Sequence, residues 1–126
     1  MTAGAVFVLV GHCWADRFGL KAAVKRAVPG ARIEKANDMG ALRAHLDSGT
    51  VLLVNRVLDG GFETDNGVEL IRLLAEAGDL PAAILISNHL DVQADAEAAG
   101  ALPGFGKSQL GDEAALDLIR RAADLL

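Results

Sequence analysis

The chain has 126 residues, of which 52% are hydrophobic and 23% charged, and a formal net charge of −5. That length supports one ordinary hydrophobic core and no separate catalytic or output domain, and the apolar content excludes a disordered chain. With Lys21, Lys25 and Arg26 as its one mildly basic cluster, the sequence lacks the electrostatic footprint of a nucleic-acid binder.

No apolar block is long enough to span a bilayer, so no membrane segment is expected. Met1 to Gly4 puts no positive charge ahead of the run Ala5 to Val10, which therefore reads as a first strand rather than a signal peptide. Phe18 to Val28 follows as a helix, with Leu20, Val24 and Ala27 at helical spacing and Pro29-Gly30 as the stop. Arg32 to Lys35 is a short edge strand. Asn37 or Asp38 then caps a second helix running through Leu42 and Leu46 to Gly49. Val51 to Val54 is the third strand, and a long loop, Asn55 to Asn66, leads to a helix marked by Val68, Leu70, Ile71 and Leu74 and closed at Gly78. Ala82 to Ile86 is the fourth strand and Asp91 to Ala99 the fourth helix. A short strand lies around Leu102 to Gly106, and the last helix, Asp112 to Leu125, turns Leu116, Ile119 and Ala123 inward.

Five β/α units at this spacing predict one α/β domain over residues 1–126, a doubly wound five-stranded parallel sheet in a three-layer α/β/α arrangement. Ligands of such sheets bind beyond the carboxyl ends of the strands, where strand order reverses. The residues at those ends are Gly11, His12, Cys13, Asn55, Ser87, Asn88, His89 and Lys107. Cys13 is the single cysteine, so no internal disulfide forms, which suits a reducing, cytoplasmic compartment.

With those ends in view, the chain resembles the receiver domain of bacterial response regulators, the flavodoxin-like fold of two-component signalling proteins. Ser87-Asn88 after the fourth strand, Ala98-Ala99-Gly100-Ala101 closing the fourth helix, Lys107 at its interval from Gly100, and Asn66-Gly67-Val68-Glu69-Leu70 opening the third helix carry the resemblance. It also implies a Mg²⁺ site built from carboxylates after the first and third strands, one of which accepts the phosphoryl group. Here Gly11-His12 stands where the acidic pair belongs and Asn55 where the acceptor belongs. An amide is a poor nucleophile without negative charge, so Mg²⁺ binding is expected to be weak or absent, with no phosphotransfer and no enzymatic activity. Ser87 and Lys107 are retained, whereas the aromatic switch position is Gly104, with Phe105 beside it. Ser108 replaces the proline that commonly follows the lysine, and the loop after the third strand is longer than usual.

The expected function is therefore that of an atypical receiver acting by phosphorylation-independent protein contact. By resemblance the surface is the fourth helix, fifth strand and fifth helix, with a homodimer among its arrangements. Asn55 either serves as an ordinary hydrogen-bonded polar residue or bonds Lys107 in imitation of a signalling state. The alternative function is a small-ligand or metal site in which His12, Cys13 and His89 supply soft N and S ligands. Asp59 is a further candidate acceptor in the long loop, Trp14 is expected at the rim of the pocket, and the helix running up to Leu126 leaves open an output domain beyond it.

Overall fold

The computed structural model describes residues 5–47 and 49–125. The stretch Met1 to Gly4, the expected lead into the first strand, lies outside them, as do Ser48 and Leu126. The elements are β1 (Val6–Val10), α1 (Trp14–Ala27), β2 (Arg32–Ala36), α2 (Met39–Arg43), β3 (Thr50–Asn55), α3 (Gly67–Glu76), β4 (Ala82–Ile86), α4 (Leu90–Ala99), β5 (Leu102–Phe105) and α5 (Glu113–Asp124).

All five strands run parallel in the order β2-β1-β3-β4-β5, so β2 and β5 are the edges and strand order reverses between β1 and β3. This is the doubly wound sheet expected from the sequence. Alternate residues of β1 face opposite layers, which is the period of a strand covered on both sides. Phe7 and Leu9 pack with Leu20 and Val24 of α1 and Ile119 of α5. Val8 and Val10 pack with Leu42 of α2, Ile71 of α3 and Ala96 of α4.

Two helices depart from the expected boundaries. α1 starts at Trp14, four residues before Phe18, with Cys13 in extended backbone at its cap. Its first turns bury no side chain, so hydrophobic periodicity had nothing to register before Leu20. α2 is one short helix, capped by Asp38, whose Oδ1 accepts from the Ala41 amide at 2.7 Å, and it stops at Arg43 rather than near Gly49. The Asp47 carboxylate takes over there, accepting from the Gly49 amide and the Thr50 hydroxyl in a turn that competes with further helix.

Two other features set the site. Asn66 caps α3 through bonds from the Val68 and Glu69 amides. The next residue, Gly67, lies so close to β3 that a Cβ there would stand 2.0 Å from the Asn55 carbonyl oxygen, so only glycine lets α3 start against the strand end. At the far edge, β5 pairs with β4 through an irregular register, Ile84 opposite Leu102 and Ile86 opposite Phe105, which leaves a bulge at Pro103-Gly104. Proline lacks the amide hydrogen that a regular ladder needs, which accounts for the break.

Candidate functional site

The site forms at the carboxyl ends of β1, β3, β4 and β5. After β1 the chain turns through Gly11, whose φ of +70° favours glycine, with Leu58 packed where a side chain would be. The carbonyl of Gly11 accepts both the Asp59 amide and Asn55 Nδ2.

His12 is fully buried, although it had been a candidate ligand. Its Nε2 lies 2.9 Å from the Leu53 carbonyl oxygen, which can only accept, so Nε2 carries the proton. Nδ1 is then a bare lone pair, buried and without a partner. Burial lowers the imidazole pKa to about 4; the Leu53 bond and Asp16 oppose this, while Lys107 and Arg17 add to it. At neutral pH His12 is an uncharged plug beneath the site.

Asn55 completes β3. Its amide nitrogen donates to the Gly11 carbonyl at 3.0 Å and to the Val57 carbonyl at 2.7 Å, so it ties the β1 and β3 loops together. Lys107 does not take part. Its Nζ instead meets Asp16 Oδ2 at 2.6 Å, joining the turn after β5 to the first turn of α1. This bond is the chief reason the Asp16 carboxyl sits below its ordinary pKa, with the Cys13 thiol adding to it and partial burial opposing it. Of the two expectations for Asn55, the structure contains the ordinary polar contact and not a bond to Lys107.

Ser87 is nearly buried, and its hydroxyl accepts the His89 amide at 3.1 Å, at the start of α4. Asn88 holds the loop after β5, its Oδ1 accepting from the Ser108 amide and hydroxyl while its side chain fills the space beside Gly106.

The switch position, Gly104, is occupied by another residue's side chain. A Cβ on Gly104 would lie 2.5 Å from Gln93 Oε1 and 2.4 Å from the Leu85 carbonyl oxygen. Gln93 projects from α4 and its Nε2 lies within hydrogen-bond distance of the Leu85, Ser87 and Phe105 carbonyls, at 2.8, 3.1 and 3.3 Å. An amide thus bridges β4 and β5 beside the bulge.

Asn55, Arg56, Ser87, Asn88, His89 and Lys107 therefore converge around a cavity of about 190 Å³. No carboxylate lines it, and the Asn55 amide and the Lys107 ammonium are engaged elsewhere, with backbone carbonyls and with Asp16. Such a set does not fit Mg²⁺, which demands several oxygen ligands in near-octahedral geometry. Nor are His12, Cys13 and His89 brought together as a metal site. His12 is buried and bonded, Cys13 and His89 are exposed, and no group of three metal-ligating side chains occurs among the described residues. Trp14 lies outside this cavity, exposed on α1 beside β2.

Asp16 and Gln93 were given no role in the site from the sequence. A helix beginning at Trp14 puts Asp16 in the first turn, near Lys107, and apolar periodicity, which starts only at Leu20, does not reveal that turn. For Gln93 the signal was a polar residue on an otherwise apolar helix face, with a glycine at the facing strand position.

No protein-family model matches the sequence, and no curated protein matches it. Solved structures do match. The signal receiver domain of a DNA-binding response regulator from Colwellia psychrerythraea 34H is 16% identical, over 95% of this chain and 98% of that one, with a TM-score of 0.65. The receiver domain of the response regulator NarL from Mycobacterium tuberculosis is 19% identical, over 95% and 92%, with a TM-score of 0.65. The beryllofluoride-activated NtrC4 receiver domain dimer is 20% identical, over 98% of both chains, with a TM-score of 0.69. The chain has the fold of response-regulator receiver domains.

Proposed function

We propose that this chain is a receiver-like module of two-component-type signalling that works without phosphorylation and without catalysis, by binding another protein. The observation that carries this is the state of Asn55. At the position where a receiver presents its acceptor carboxylate, a neutral amide donates to two backbone carbonyls, beside a cavity lined by Lys107, Arg56 and His89 and by no acid. Such a group offers neither a nucleophilic oxygen nor a charge to hold Mg²⁺. The filling of the switch position by Gln93 supports the same reading, because an aromatic rotamer change has no counterpart at a glycine whose space is taken.

The contact surface is formed by α4, β5 and α5. There, Leu102, Pro103, Leu118, Arg121 and Leu125 border a mostly apolar depression of about 410 Å³, and Leu90 is exposed on α4. An exposed apolar patch rimmed by charge marks a protein interface. The NtrC4 receiver of similar fold is a dimer, and a dimer of this chain is one form that such contact takes.

The test is incubation with a small-molecule acyl phosphate and Mg²⁺. No label is expected. An acid-resistant, hydroxylamine-labile label on the protein overturns the reading, and mapping it to Asp59 would identify a relocated acceptor.

A further inference from the structure

We propose that the groove between α1 and the edge strand β2 docks an extended acidic segment of a partner protein, added alongside β2. This surface lies across the sheet from the α4–β5–α5 face, and the inference goes beyond the reading above.

The groove has a volume of about 280 Å³ and is walled by Trp14 and Phe18 of α1 and by Ile33 of β2, with Arg17, Lys21 and Lys35 and one acid, Glu34, around it. Trp14 is the only tryptophan of the chain and is 73% exposed, and Phe18, one helical turn on, is 75% exposed. Phe7 and Phe105 are buried, so exposure is not the general fate of aromatics here. Two large aromatics at i and i+4 contribute nothing to the core from this position. They are the residue type that dominates binding energy at interfaces.

Charge selects the occupant. Between Trp14 and Ala36 lie six basic and two acidic residues, a local charge of +4 in a chain whose remainder carries −9. Both acids are engaged, Asp16 with Lys107 and Glu34 with Arg32, whereas Lys21 and Lys35 make no ion pair among the described residues. A two-fold contact between copies would set this basic surface against itself, which repels. An acidic partner meets no such penalty.

Backbone geometry selects its conformation. The outer side of β2 pairs with no strand among the described residues, which leaves main-chain donors and acceptors for an added strand. Every second side chain of that strand faces α1, where aliphatic ones reach the aromatic wall and acidic ones meet Lys21 and Lys35. Aromatics and lysines on one helix also suit an anionic membrane surface, but a concave groove beside a free strand edge fits a chain better than a flat bilayer.

The experiment selects binders from a displayed library of random peptides against the whole chain, then measures them with Trp14 fluorescence as the local reporter. Enrichment of Asp or Glu two residues away from an aliphatic residue, so that both face α1, is expected, with binding that weakens as salt rises. Lys21→Glu with Lys35→Glu should weaken binding about tenfold or more, while Arg72→Glu on α3 leaves it unchanged. Both lysines are exposed, so circular dichroism should show both proteins equally folded. Three outcomes overturn the proposal: no acidic enrichment, equal binding by the Lys21→Glu/Lys35→Glu protein, or binding to phosphatidylserine vesicles with none to peptides. Phosphodonor labelling is read separately, so failure here leaves the pocket reading standing and the reverse also holds.

Discussion

Lys107 bonds Asp16 across 91 positions of sequence, and Asn55, at the end of β3, bonds backbone only. The lysine retained from the receiver pattern is thus held by a carboxylate in the first turn of α1, while the asparagine is part of the loop scaffold. Lys107 and Asn55 have separate partners, a carboxylate for the one and two backbone carbonyls for the other.

Restoring a carboxylate is therefore expected to harm the protein. In Asn55→Asp an acceptor oxygen replaces the donor that faces the Gly11 and Val57 carbonyls, so two bonds become repulsive contacts. Loss of about 2 kcal/mol is expected in urea unfolding, the scale of orphaning buried or half-buried polar groups. Phosphodonor labelling should remain absent, because the acidic pair is still missing.

Stability should depend on pH through His12. The folded pKa, about 4, is below the ordinary value of 6.5, so the unfolded chain binds the extra proton between those values. Stability from this group is complete above pH 6.5, falls as pH drops towards 4, and changes no further below. The full loss is about 3 kcal/mol by linkage. His12→Phe, which cannot titrate, should flatten that part of a chemical-denaturation series; an unchanged slope would assign it to other groups.

The Lys107–Asp16 pair is expected to be weak as a stabiliser. Its side chains are 37% and 33% exposed, so a double-mutant cycle of Asp16→Asn and Lys107→Met should give a coupling of at most about 1 kcal/mol, shrinking with added salt. The Asp16 carboxyl is held below its ordinary pKa chiefly by Lys107. The coupling is present above the ordinary aspartate range and is lost as pH falls through that lowered value.

Gly104→Ala should destabilise by about 1–3 kcal/mol, because its methyl would clash with Gln93 Oε1 and the Leu85 carbonyl. Adding Gln93→Ala relieves only the side-chain half, since the Leu85 oxygen is backbone. Gln93→Leu alone should cost a similar amount by removing the amide that lies beside three carbonyls. Thermal unfolding of the three proteins measures both effects.

The fold was legible because its buried strands are continuous apolar runs and its helices break at Gly or Pro, as at Val51 to Val54 and Pro29-Gly30. The strand-end residues were legible for the same reason, since parallel topology fixes where each strand stops. What those residues do was not. His12 reads as a ligand in sequence and is a neutral core residue in space, because its one bond goes to Leu53, 41 positions away. Gln93 and Asp16 likewise act through contacts between elements, which local periodicity does not encode. Trp14, expected at the rim of the pocket, and Phe18, expected to open the helix, share a face of α1 beside β2 that was not legible, because a helix turn with no buried residue has no apolar stripe to reveal it.

The two bonds from Asn55 also determine what the loops respond to. A carboxylate in that place would draw the β1 and β3 loops together only through a cation, and would loosen or tighten with divalent-ion concentration, ionic strength and acidity. A neutral amide bonded to two carbonyls senses none of these, so the connection between Gly11 and Val57 should hold the same geometry across solution conditions that would rearrange an acidic pocket.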